Sequence, residues 1–163
     1  MSSSPDLEVR RYHKLDLAAD MLIEADERIR GAASNVDYVA AILLAGAVAY
    51  IIFPILEEDG VIPVREMMAR LDNLIEGRLP RSNERTNAAD FLVVYNALKH
   101  AGGRGNGAAS KNLEVEMCLY TEALSIMEDT LMDAAQLRPG DETRQRFKLR
   151  IEHLLTSDLY SFD

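Results

Sequence analysis

The chain has 163 residues, 48% of them apolar and 28% charged, enough for one domain with a real core. Its formal net charge of −9 repels phosphate backbones and argues against a broad DNA-binding surface. Cys118 is the single cysteine, which excludes an intrachain disulfide and a multi-cysteine zinc site.

The apolar set is rich in Ala, Leu, Ile and Met and poor in aromatics, a mixture that favours helices over sheets. Residues 1–5 are polar and read as a disordered tail, without the basic start and apolar run of a signal peptide. With no disulfide and no such signal, a cytoplasmic location is expected. A first helix is predicted over 6–30, with Leu15, Ala18, Leu22, Ala25 and Ile29 on one face and Gly31 as its stop. Ser34 and Asp37 then resemble a capping box that opens a second helix, which should end at Phe53 because Pro54 lacks an N–H. Glu57-Glu58-Asp59-Gly60 reads as a turn. A third helix opens at Pro63 and carries Val64, Met67, Met68, Leu71, Leu74 and Ile75 at helical spacing before Gly77. The fourth is predicted over 86–101, with Phe91, Leu92, Val94, Tyr95 and Leu98 inward.

Four glycines within 102–110 mark a loop. A fifth helix is expected over 113–137, with Met117, Tyr120, Leu124, Met127, Leu131 and Ala135 as its buried stripe. Arg138-Pro139-Gly140-Asp141 ends it and caps a sixth, which carries Phe147, Ile151, Leu154 and Leu155. No alternating strand pattern and no repeat interrupts this series. The expected fold class is therefore all-α: a single-domain antiparallel bundle of five to six helices over 6–157, followed by a C-terminal tail, 158–163.

Residues 38–56 carry no formal charge, a length close to that of a bilayer span. Both flanks are acidic, with no Lys or Arg anchor, and the run is diluted by alanines, a glycine and Pro54. The favoured reading is a central helix covered on every side by its neighbours, with no membrane partner.

Chemistry is harder to find. The glycine loop follows a helix, whereas a phosphate-cradling loop follows a strand, so it reads as a connector. His13, His100 and His153 have Arg10, Ala97 and Arg150 three residues before them, so no Glu-x-x-His pair offers a carboxylate metal site. Glu24, Glu27, Glu57 and Glu58 are read as solvated charges, no cofactor is implied, and Cys118 is read as a small core residue. The stretch Asn96-Ala97-Leu98-Lys99-His100 places Asn96 and His100 one turn apart beside Lys99, near a helix end whose dipole favours a protonated imidazole. The same residues also serve as ordinary C-terminal capping groups.

Two segments add a resemblance. Asp37-Tyr38-Val39-Ala40-Ala41-Ile42-Leu43-Leu44-Ala45-Gly46-Ala47 is similar to the second-helix signature of a bacterial family with a HEPN-like helical bundle. Tyr95-Asn96-Ala97-Leu98-Lys99-His100 resembles its Arg-Asn-x-x-Lys-His signature, and the resemblance covers roughly residues 8–137. It implies a homodimer and a metal-independent ribonuclease site, with Asn96 in the polar place and His100 as the catalytic histidine. Lys99 and Tyr95 would bind beside them. The arginine place, however, is held by Tyr95, which brings no positive charge to a phosphate. Arg146 and His153 fit a loose version of the spacing, and this is read as chance. The expected function is a non-catalytic or degenerate module that binds a nucleotide, an RNA end or a protein partner. An active endoribonuclease and a purely structural interaction module are the alternatives.

Overall fold

The structure, a computed structural model, describes residues 9–75, Tyr95, Leu98 and 117–160; every regular element among them is a helix. In chain order these are α1 (Lys14–Arg30), α2 (Asn35–Glu58), α3 (Val64–Ile75), α4 (Leu119–Gln136) and α5 (Glu142–Leu155). Helix α2 lies at the centre, packed against α1 on one side and α4 on another, while α5 packs mainly on α1.

The helix α1 is shorter than its apolar pattern suggests. Residues 9–13 are not helical, and the helix begins after His13, whose Nδ1 accepts the Leu15 N–H at 3.2 Å. That bond satisfies one of the orphan donors of the first turn and fixes the start. The predicted face is the buried one: Leu15, Ala18, Leu22, Ala25 and Ile29 all lie in the core. Gly31 ends the helix by returning its N–H to the Glu27 carbonyl at 2.9 Å.

At the start of α2, Asp37 Oδ2 accepts the backbone N–H groups of Ala33 and Ser34 at 3.0 and 3.1 Å. These bonds, the Ala33 one foremost, hold the Asp37 carboxyl below the ordinary range. The helix does not stop at Phe53. It runs through Pro54 to Glu58, a correction to the expected boundary. Pro54 and Tyr50, one turn earlier, are both on the exposed side, where water can take the Tyr50 carbonyl that the proline leaves unpaired. Continuing the helix also buries Leu56 completely. Gly60 then adopts φ +70°, the left-handed region that glycine enters without strain, and the Val61 N–H reaches back to the Leu56 carbonyl at 2.8 Å.

Helix α4 also departs from expectation, starting at Leu119 after non-helical Met117 and Cys118. Its inward stripe is Ala123, Ile126, Met127, Thr130, Leu131 and Ala134, with Asp133 beside it, while Tyr120 and Ala135 point outward. Thr130 and Asp133 explain the rotation, because counting apolar residues alone turns the helix away from them. Thr130 is accommodated by donating its hydroxyl to the Ile126 carbonyl at 2.7 Å. Asp141 caps α5 as predicted, accepting the Arg144 N–H at 2.9 Å, and Phe147, Ile151 and Leu154 are buried.

In α3, Val64 and Ala69 are buried, but Met67, Met68, Leu71, Leu74 and Ile75 are exposed. Of the predicted fourth helix, Tyr95 and Leu98 are helical and lie in or against the core; its other residues, and the glycine loop, fall outside the described residues. Glu24, Glu27, Glu57 and Glu58 are exposed.

The C-terminal segment is more than a loose tail. Tyr160 is fully buried, and its hydroxyl donates to Asp26 Oδ1 at 2.8 Å. Arg30 Nε meets the same carboxylate at 2.8 Å and its Nη2 reaches Ser157 Oγ at 2.7 Å, so the segment after α5 is tied to α1. Burial and the adjacent Asp26 carboxylate raise the Tyr160 phenol above its ordinary range, so it stays a neutral donor. Tyr160→Phe is expected to lower the urea unfolding free energy by about 1–2 kcal/mol at unchanged m-value, since it leaves a buried acceptor one donor short.

Candidate functional site

The residues singled out by sequence are Tyr95, Asn96, Lys99 and His100. Asn96, Lys99 and His100 lie outside the described residues. Tyr95 is 4% exposed and belongs to the core. Its ring lies 5.6 Å from that of Tyr50, inclined at 44°, and Tyr50 in turn is 6.1 Å from Phe53.

The decisive contact is with α2. A Cβ built on Gly46 would lie 2.2 Å from Tyr95 Cδ2 and 2.6 Å from its Cγ, well inside van der Waals contact. Glycine within a helix ordinarily costs about 1 kcal/mol relative to alanine. At position 46 the missing side chain is what lets an aromatic ring rest directly on the helix backbone. The two segments that carry the resemblance therefore touch through Gly46 and Tyr95.

A second constellation was not legible in the sequence. On α4, Asp129 and Asp133 stand one turn apart and face the start of α3. Asp133 is 1% exposed, and its Oδ1 accepts the Val64 N–H at 2.8 Å. Asp129 Oδ2 pairs with Arg65 Nε at 2.7 Å. Burial pushes the Asp133 carboxyl up to about 7; the Val64 N–H opposes this, the Asp129 charge adds to it and Arg65 opposes it. Burial likewise raises Asp129, against the pull of Arg65. The only sequence signal was the i, i+4 pair of carboxylates, which on a helix more often marks a solvated face. A group that holds a proton near neutrality is suited to acid–base work only where it reaches a reacting atom. Asp133 is enclosed instead by α3 and α4, so its proton bears on the fold.

Cys118 requires correction. The thiol is exposed, not part of the core, because Cys118 occupies the N-cap of α4. The Thr121 hydroxyl, 3.2 Å from Sγ, and the Thr121 amide lower its pKa, as expected at a helix N-terminus. Arg146 is committed to Asp16 at 2.8 Å while His153 is exposed, so their spacing in the sequence assembles no site. Among the described residues no group of three or more His, Cys, Asp or Glu side chains is placed to hold a metal ion.

No protein-family model matches the chain, and neither the curated proteins nor the solved structures yield a match. The geometry of the Gly46–Tyr95 contact gives the direct test of this region. Gly46→Ala is expected to destabilise the chain by about 1–3 kcal/mol in chemical unfolding, the overpacking cost exceeding the gain in helix propensity.

Proposed function

We propose that the chain is a HEPN-like helical protein that binds a nucleotide, an RNA end or a protein partner and does not cleave RNA. Tyr95 carries this reading. It occupies the place where the resembled signature has an arginine, and it is committed to packing on Gly46 and Tyr50. A buried neutral ring supplies no cation to steady a phosphate in a transition state. The site would then keep recognition groups, Asn96, Lys99 and His100, without the arginine that the resembled signature sets beside them.

The purified chain is expected to leave a panel of RNAs intact in the presence of a chelator. Asn96→Ala and His100→Ala are each expected to weaken binding of a ribonucleotide probe by about tenfold, the loss of one hydrogen bond to a charged group. Metal-independent cleavage abolished by His100→Ala would replace this reading with an active endoribonuclease. Binding unchanged in both variants would leave a structural module.

The proposal extends to a cytoplasmic homodimer. By length and composition alone α2 could cross a bilayer, but its packing between α1 and α4 supports a role as the spine of a bundle. The exposed apolar residues of α3 support a protein partner. Detergent-free preparations are expected to stay in the supernatant on ultracentrifugation and to give twice the chain mass in light scattering. A monomeric mass at micromolar concentration would remove the dimer from the proposal, and sedimentation with membranes would remove the bundle-spine reading of α2.

A further inference from the structure

The mounting of α3 differs from that of the other described helices. Its principal packing partner among them is α4, and the contact is concentrated at its N-terminal half, where Val64, Arg65 and Ala69 are buried. Toward its C-terminal end exposure rises to 83% at Ile75. Two polar links join this N-terminal half to α4: the Val64 N–H on Asp133 and Arg65 on Asp129.

The charges at this junction do not balance. Two carboxylates face one guanidinium, and that guanidinium is paired with Asp129. Asp133 receives a single backbone N–H, short of the two or three that hold a buried carboxylate comfortably ionised. Several charged groups on the other described helices have partners of their own. On α3, Glu66 pairs with Arg70 at 2.6 Å. On α5, Lys148 donates to the Ala135 carbonyl at 2.9 Å. On α1, Asp26 is held by Arg30 and Tyr160. Helix α2 has no charged residue between Asp37 and Glu57. Among the described residues the charged groups that bear on Asp133 are Asp129, which repels its anion, and Arg65, which is shared. A protonated Asp133 still has a carbonyl oxygen for the Val64 N–H, so the docked arrangement is satisfied in the neutral form. An ionised Asp133 needs water, and water reaches it when the start of α3 lifts.

We propose that α3 is a proton-linked latch: a proton on the buried Asp133 carboxyl holds the start of the helix on α4, and loss of that proton releases it. Docking raises the Asp133 pKa from the ordinary value of 3.8 to about 7, so stability of the docked state is fully present below pH 4. It is lost progressively as pH rises toward 7 and levels off above that. The device is independent of any ligand of the Tyr95 region.

Hydrogen–deuterium exchange of the full chain at pH 5, 6, 7 and 8, normalised to the exchange of unstructured peptides at each pH, tests the latch. Protection over residues 61–69 is expected to fall by roughly tenfold per pH unit between 5 and 7 and then to level off, while peptides from α1 and α2 hold theirs. Asp133→Asn should make the profile of 61–69 flat. Should that variant fail to fold, Asp129→Asn serves instead, because it frees Arg65 to pair with Asp133 and should also flatten the profile. Protection over 61–69 that does not change with pH, or that falls in step with α1 and α2, would overturn the proposal. So would a folded Asp133→Asn or Asp129→Asn that keeps the wild-type profile.

Discussion

A helix that runs for nineteen residues without a charge has to be covered, and the rest of the described structure follows from how α2 meets that demand. Helices α1 and α4 take two of its sides, and the ring of Tyr95 closes on a third at Gly46. Small residues are buried on all three helices: Ala41, Ala45 and Ala49 on α2, Ala18 and Ala25 on α1, Ala123 on α4. Small side chains let helix backbones come near one another, and the larger Leu22, Ile42, Ile52, Met127 and Leu131 fill the spaces between.

Among the described residues polar groups enter this interior at three places, and at each they join elements that apolar packing alone would hold less specifically. Asp26 ties α1 to the segment after α5 through Tyr160. Thr130 donates its hydroxyl to the Ile126 carbonyl of its own helix at 2.7 Å and lies 3.5 Å from the Ala45 carbonyl of α2. Asp133 and Asp129 hold the start of α3. Of the described helices α3 is the least enclosed, and its attachment carries a buried carboxyl.

Much of this was legible in the chain. The apolar stripe of α1, the Ser34 and Asp37 pair and the Asp141 cap each rest on side chains acting within one turn, and such local rules are written in consecutive residues. What escaped depends on partners distant in sequence. Pro54 reads as a terminator until the exposure of Tyr50 is known; the α4 stripe reads one residue out of phase until Asp133 is seen to face α3. Cys118 between Met117 and Leu119 looks apolar, yet the helix starts just after it. Tyr160 gains its importance from Asp26, 134 residues earlier. Of the candidate site, the sequence singled out Asn96, Lys99 and His100 with Tyr95 in the arginine place, and nothing local in it marked Gly46 as the seat of the Tyr95 ring.

That seat ties the histories of two positions together. While the ring of Tyr95 rests on the α2 backbone, no residue larger than glycine fits at position 46 without displacing it. A variant lineage that enlarges position 46 must therefore first shrink or withdraw position 95. An arginine at position 95 would face the reverse condition, since a long flexible side chain has no need of a bare helix surface. The present pair is a local commitment, and placing a cation at position 95 would require undoing that packing first.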